Sequence, residues 1–181
     1  MAAANGKEEC VESLIEMNAD LRVVDKFGKT SLHVAALNGH VGILGQLTDK
    51  FRDDLSEYDN ESSFQFWASL VDNDRFTPLQ WAAFAGHAGC VEILTLRNPG
   101  EILSYFNYKH QQNAICKGQT FSPVHCAVFQ DRIQCLLLLL EHLGQTVVNL
   151  VDGHQRTPLH IAAISNSLEC CRILLDNGAN I

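Results

Sequence analysis

Positive charge is scarce in this chain. Thirteen Lys and Arg stand against twenty-one Asp and Glu, giving a net charge of −8 over 181 residues, and the basic residues form no stripe. A phosphate backbone needs clustered Lys and Arg, which argues against nucleic acid and anionic membrane as partners. Long apolar runs are missing too. Nothing approaches the roughly 20 residues that span a bilayer, and the most conspicuous run, Leu136 to Leu140, reads as a buried helix face. Met1 to Asn5 holds no basic stretch leading into an apolar one, so no secretory leader is expected and the expected address is cytosolic or nuclear. Neither Gly-x-Ser-x-Gly, Gly-x-x-x-x-Gly-Lys-Ser/Thr nor His-Glu-x-x-His occurs. The commonest signatures of esterases, nucleotide hydrolases and zinc proteases are therefore absent. The chain is expected to be no enzyme and to take no small-molecule substrate.

One short pattern recurs instead. Thr30-Ser-Leu-His-Val-Ala-Ala36 with Gly39-His40 returns as Thr77-Pro-Leu-Gln-Trp-Ala-Ala83 with Gly86-His87, as Ser122-Pro-Val-His-Cys-Ala-Val128, and as Thr157-Pro-Leu-His-Ile-Ala-Ala163. Aligned on the hydroxyl residue, Gly39, Gly86, Asp131 and Asn166 share one position, and Ala2 to Gly6 fits as a truncated first unit. Thr or Ser is a good N-cap because its oxygen can accept an orphan backbone N–H. Pro follows at the first helical position, where its missing N–H costs nothing. The Ala pair permits close approach of a second helix, and Gly ends the first one. Apolar residues at three- and four-residue steps then predict second helices over 41–47, 88–94, 132–140 and 168–175.

This column arrangement also absorbs the tempting residues. His33, His125 and His160 share one position, and His40 and His87 another, which predicts hydrogen-bonded bridges between neighbouring units. Residues lying side by side in a row do not make a tetrahedral metal site. Cys10, Cys90, Cys135 and Cys170 likewise share a position and are expected to be small buried hydrophobes, kept reduced. Asp53 and Asp54 fall in an expected loop with nothing to raise a carboxyl pKa. No catalytic, cofactor-binding or metal-binding residue is assigned.

The Thr-Pro-Leu-His-x-Ala-Ala, Gly-His and Leu-Leu-x-x-Gly-Ala segments together resemble the ankyrin repeat. The resemblance implies an all-α solenoid of helix–turn–helix units with protruding turns, stabilised by nearest-neighbour stacking. About four units plus a partial first one are expected, at roughly 1–24, 25–71, 72–116, 117–151 and 152–181, as a single array over 1–181. Spacings of 47 and 45 residues between the first three anchors exceed the final 35. They place extra segments near 49–70 and 97–118, each either a solvated loop or a contributor to binding, and the first is either a loop or a short helix packed back on the array. The resemblance also implies a concave face carrying the turn residues and the two residues after Ala-Ala. Phe84 and Phe129 are equivalent there, as are Phe76 and Phe121, while Leu37 and Ile164 extend the first row and Phe27 occupies a turn with Lys26 and Lys29. An exposed aromatic row favours a protein interface; insertions folding over it would bury it instead.

Further stretches, Gly39 to Leu47, Phe121 to Val128, Leu143 to Asn149 and Arg156 to His160, are similar to the ankyrin-repeat regulatory subunits of serine/threonine-protein phosphatase 6. That implies a non-catalytic scaffold whose protein partners include a phosphatase catalytic or regulatory subunit. The alternative is a fragment of a larger multidomain protein whose array targets an attached enzyme domain. Neither end reads as a polar cap, so the chain is expected to belong to a longer array.

Overall fold

Each Thr-Pro-Leu-His segment starts a helix because its first turn satisfies its own orphan amides. The oxygens of Thr77, Ser122 and Thr157 accept the backbone N–H three residues on, at 3.3, 3.4 and 3.4 Å. Such a cap is worth about 1 kcal/mol. Pro78, Pro123 and Pro158 follow at the first helical positions. In the computed structural model, which describes residues 1–55, 70–97 and 121–181, the α-helices are α1 Glu8–Glu16, α2 Ser31–Asn38, α3 Val41–Leu55, α4 Pro78–Ala85, α5 Ala88–Arg97, α6 Pro123–Phe129, α7 Ile133–Leu143, α8 Pro158–Ile164 and α9 Leu168–Asp176. Short 3-10 turns cover Ala3–Asn5 and Gln145–Val147. Among the described residues there is no strand.

The helices form two layers. Ala3–Asn5, α2, α4, α6 and α8 pack in series as an inner layer, and α1, α3, α5, α7 and α9 as an outer one. Ala35, Ala36, Ala82, Ala83, Ala127 and Ala162 are wholly buried between inner helices, where a larger side chain would hold the helices apart. Leu32, Ile43, Leu44, Leu136, Leu139 and Leu174 fill the space between the layers.

Two expectations need correction. The outer helix expected over 41–47 runs on to Leu55, so Asp53 and Asp54 lie on a helix and not in a loop. Phe51 is buried against the core and holds this extra length, while Lys50–Asp54 and Arg52–Asp49 pair along the exposed side at 2.7 and 3.0 Å. Cys10 is exposed, unlike Cys90, Cys135 and Cys170. Cys170 shows what covers this column, its Sγ lying 3.4 Å from Asp131 Oδ1 of the neighbouring unit, a contact with no counterpart at Cys10 among the described residues. The remainder of the two extra segments, including Phe64 to Trp67 and Tyr105 to Tyr108, lies outside the described residues.

The turns between units are built on an aspartate. Asp25 Oδ1 accepts the amides of Phe27 and Lys29, Asp72 Oδ1 those of Asp74 and Phe76, and Asp152 Oδ1 those of His154 and Arg156, all between 2.8 and 3.0 Å. The fourth residue of each turn is left-handed: Gly28, Arg75 and Gln155 have φ of 75°, 69° and 61°. Geometry that Gly28 supplies freely is thus imposed on two side-chain-bearing residues by the surrounding hydrogen bonds. Adjacent turns also join directly, because the Asn73 backbone N–H donates to the Phe27 carbonyl at 3.0 Å and its side-chain amide to the Lys26 carbonyl at 3.2 Å.

Four of the five histidines expected to bridge units do so, and His160 does not: it is exposed and bonds only within its own Thr157 cap. His33 and His125 receive the N-cap amides of Thr30 and Ser122 on Nδ1, at 3.2 and 3.3 Å. An amide can only donate, so Nδ1 carries a lone pair and the proton sits on Nε2. Nε2 then donates to the next unit's turn, to the Phe76 carbonyl at 3.0 Å and the Arg156 carbonyl at 2.9 Å. Gln80 does the same with an amide, accepting Thr77 N–H and donating to the Phe121 carbonyl. A second ladder runs backwards, His40 to the Ala4 carbonyl and His87 to the Leu37 carbonyl, at 3.1 and 3.0 Å.

Burial lowers the His33 pKa below its ordinary 6.5. In the unfolded chain this ring binds a proton as the pH falls through about 6.5, while the folded ring resists. Stability is therefore full above that pH and is lost as the pH falls toward the folded value. Urea titrations from pH 7.5 to 5 should show this loss, and His33→Gln should remove its His33 component. An unchanged slope in His33→Gln would show that other groups set the pH dependence.

Candidate functional site

The inner helices and their turns carry a continuous run of rings. Phe76 lies 5.2 Å from Trp81 between centroids, Trp81 meets Phe84 edge-on at 5.9 Å, Phe84 stacks with Phe129 at 6.5 Å, and Phe129 reaches Phe121 at 6.3 Å. The repeat causes this line. Phe84 and Phe129 occupy the same position at the ends of α4 and α6, and Phe76 and Phe121 both stand just before an N-cap, so stacking the units aligns their rings. Phe129 is 47% exposed and Phe27 55% exposed, whereas Phe76, Phe84 and Phe121 are half-buried and rest on the core. Leu37 is half-buried, and Ile164 at the end of α8 is 65% exposed.

Of the residues expected on this face, the structure brings Phe76, Phe84, Phe121 and Phe129 into one contact chain. Among the described residues Phe27 makes no ring–ring contact with them; it joins the row through lysine. Lys29 Nζ sits 4.0 Å over Trp81 and 6.0 Å over Phe27, and Lys26 Nζ lies 4.9 Å over Phe27. Trp81, the ring that connects Phe76 to Phe84, is not among the residues expected on this face. Its column holds Val34, Cys126 and Ile161 in the other units, so a single large aromatic there was the available signal. Trp81 is fixed by its indole N–H, which donates to Asp72 Oδ2 at 2.7 Å.

At the other end the Arg156 guanidinium lies 5.7 Å over Phe121 and binds Asp152 through Nε at 2.8 Å and Nη2 at 2.7 Å. Burial alone would raise the Asp152 carboxyl; the Arg156 bonds and turn amides outweigh it and hold the pKa below the usual range. The buried thiols among the described residues are held protonated. Burial pushes the Cys90 and Cys135 thiols up to about 11 and Cys170 up to about 12, and Cys126 upward as well. Among the described residues no three His, Cys, Asp or Glu gather in a way that could hold a metal, and no helix is long and apolar enough to cross a membrane.

Stacked two-helix units, aspartate-based turns and a histidine ladder together define a repeat architecture, and a family model described as ankyrin repeats (3 copies) matches residues 1–101 and 95–181. The chain belongs to the ankyrin-repeat family. The crystal structure of the human ASB11 ankyrin repeat domain superposes with a TM-score of 0.66 at 25% identity, covering 99% of this chain and 68% of that one. The putative E3 ubiquitin-protein ligase XBAT31 of Arabidopsis thaliana is 30% identical over 158 residues, 82% of this chain and 29% of that protein. Rabankyrin-5 of Mus musculus is 28% identical over 181 residues, 100% of this chain and 13% of that protein. The chain thus spans less than a third of these two curated relatives. An ankyrin array is generally a non-catalytic interaction fold, and the relative named as a ligase extends far beyond the part matched here. None of the relatives named above is a phosphatase subunit by name.

Proposed function

We propose that this chain is a protein-docking module that seats its partner on the aromatic row, within a larger protein. The observation that carries the reading is the unbroken contact from Phe76 through Trp81, Phe84 and Phe129 to Phe121, with Phe129 and Ile164 open to solvent. Rings held rigidly by their own repeat lose little freedom on binding, which makes them effective anchors. Targeting of an attached enzyme domain is favoured by the lengths of the relatives, one of which is a putative ubiquitin ligase by name. Service as a regulatory subunit in a serine/threonine-protein phosphatase 6 type complex is the other reading. Its support is the resemblance of segments such as Gly39 to Leu47 and Phe121 to Val128.

Immobilised wild-type chain and a Phe84→Ala/Phe129→Ala variant, compared for captured proteins, test the face. The variant should lose specific partners by tenfold or more, consistent with about 2 kcal/mol per ring at a binding hot spot. Equal capture by a variant that keeps its helical circular dichroism would remove the row as the docking site. Absence of a phosphatase catalytic subunit from the wild-type set would count against the phosphatase reading.

A further inference from the structure

The aromatic row is asymmetric in charge. At one end Lys26 and Lys29 converge on Phe27 and Trp81, and among the described residues neither ammonium has a carboxylate within 4 Å. The nearby carboxylates touch neither ammonium, although the Asp25 and Lys29 charges act on one another, and their oxygens are held in the turns. Asp25 Oδ1 holds the amides of its own turn; Asp72 is buried, with Oδ1 on two amides and Oδ2 on the Trp81 indole. At the other end Arg156 is already neutralised by Asp152. Two ammoniums without a contact ion pair therefore stand at the head of an apolar strip, on a chain whose net charge is −8. Ammonium groups held over ring faces have shed part of their water and gain from an incoming anion more than fully solvated lysines would.

We propose that the row binds an extended acidic–apolar segment of a partner protein, its carboxylate at Lys26 and Lys29 and its apolar side chains on Phe84, Phe129 and Ile164. The spacing follows from the stack. Neighbouring helices pack about 8–10 Å apart, and an extended chain advances about 3.3 Å per residue, so one unit corresponds to about three residues of ligand. The partner motif is an Asp or Glu followed by apolar residues at roughly every third position. This rests on the docking face proposed above and specifies what it selects.

Random dodecapeptides displayed on phage and panned against the full 181-residue chain test the motif. The expected winners carry Asp or Glu with apolar residues about three and six positions later. A synthetic winner should lose about tenfold in affinity on Asp→Asn or Glu→Gln replacement, the loss typical of a charge-assisted contact. Against a Lys26→Ala/Lys29→Ala variant the same replacement should cost less than about twofold. Trp81 emission, read in a Trp67→Phe background, should change on binding. Winners with apolar spacing but no acid, or with a base in its place, overturn the inference and leave the docking face standing if Phe84→Ala weakens them. No enriched sequence at all overturns the face as well.

Discussion

His125→Ala is expected to lower the unfolding free energy by about 3 kcal/mol. The ring is wholly buried and holds two units at once, taking the Ser122 amide on Nδ1 and giving its Nε2 proton to the Arg156 carbonyl. Truncation leaves a buried donor and a buried acceptor without that partner and opens a void between α6 and the next turn. The same substitution at His160 should cost less than about 1 kcal/mol. There the side chain is exposed and bonds only within its own Thr157 cap. His125→Gln should be mild as well, because Gln80 already fills this position with both bonds made. Urea melts of the three variants would measure the contrast. Equal losses for His125→Ala and His160→Ala would mean that the column contributes through its caps alone, not by joining units.

That contrast also marks what could be read without coordinates. A local pattern whose chemistry closes within seven residues, such as a Thr cap, a Pro at the first position and an Ala pair, announces its helix wherever it occurs. The histidine column was legible because equivalent residues in a stack must lie side by side. Cys10 shows the limit of that inference: a shared column predicts burial only where a contact such as that of Cys170 with Asp131 is made. The length of α3 was not legible, since Phe51 earns its place by packing on the core while the residues around it, Lys50, Arg52, Asp53 and Asp54, look like a solvated loop. Trp81 escaped because it belongs to the row through contacts on either side of it in space, with Phe76 and Phe84, and not through repetition of its own position.

Gly39→Ala should be the other severe change, at about 3 kcal/mol, the sum of a left-handed backbone cost of 1–2 kcal/mol and a steric one of similar size. Gly39 has φ of 75°, and a Cβ built on it would lie 2.6 Å from His87 Nδ1 and 2.8 Å from Cε1. The imidazole cannot simply turn aside, because its Nε2 is bonded to the Leu37 carbonyl. The pairing recurs along the stack: His40 lies over Gly6, His87 over Gly39 and Arg132 over Gly86. Where the overlying residue shrinks to Ser167, the glycine gives way to Asp131, still left-handed at φ 53°, and its carboxylate takes the Cys170 thiol. The Gly-His element is therefore a contact across units as well as a helix terminator within one. Gly178→Ala, where a Cβ would meet nothing within 4 Å, should lose only the backbone cost of about 1 kcal/mol. A double-mutant cycle of Gly39→Ala with His87→Ser should show favourable coupling above about 1 kcal/mol, because the serine vacates the space the new methyl needs. Strict additivity in that cycle would assign the whole cost of Gly39→Ala to its backbone angle and none to the neighbouring unit.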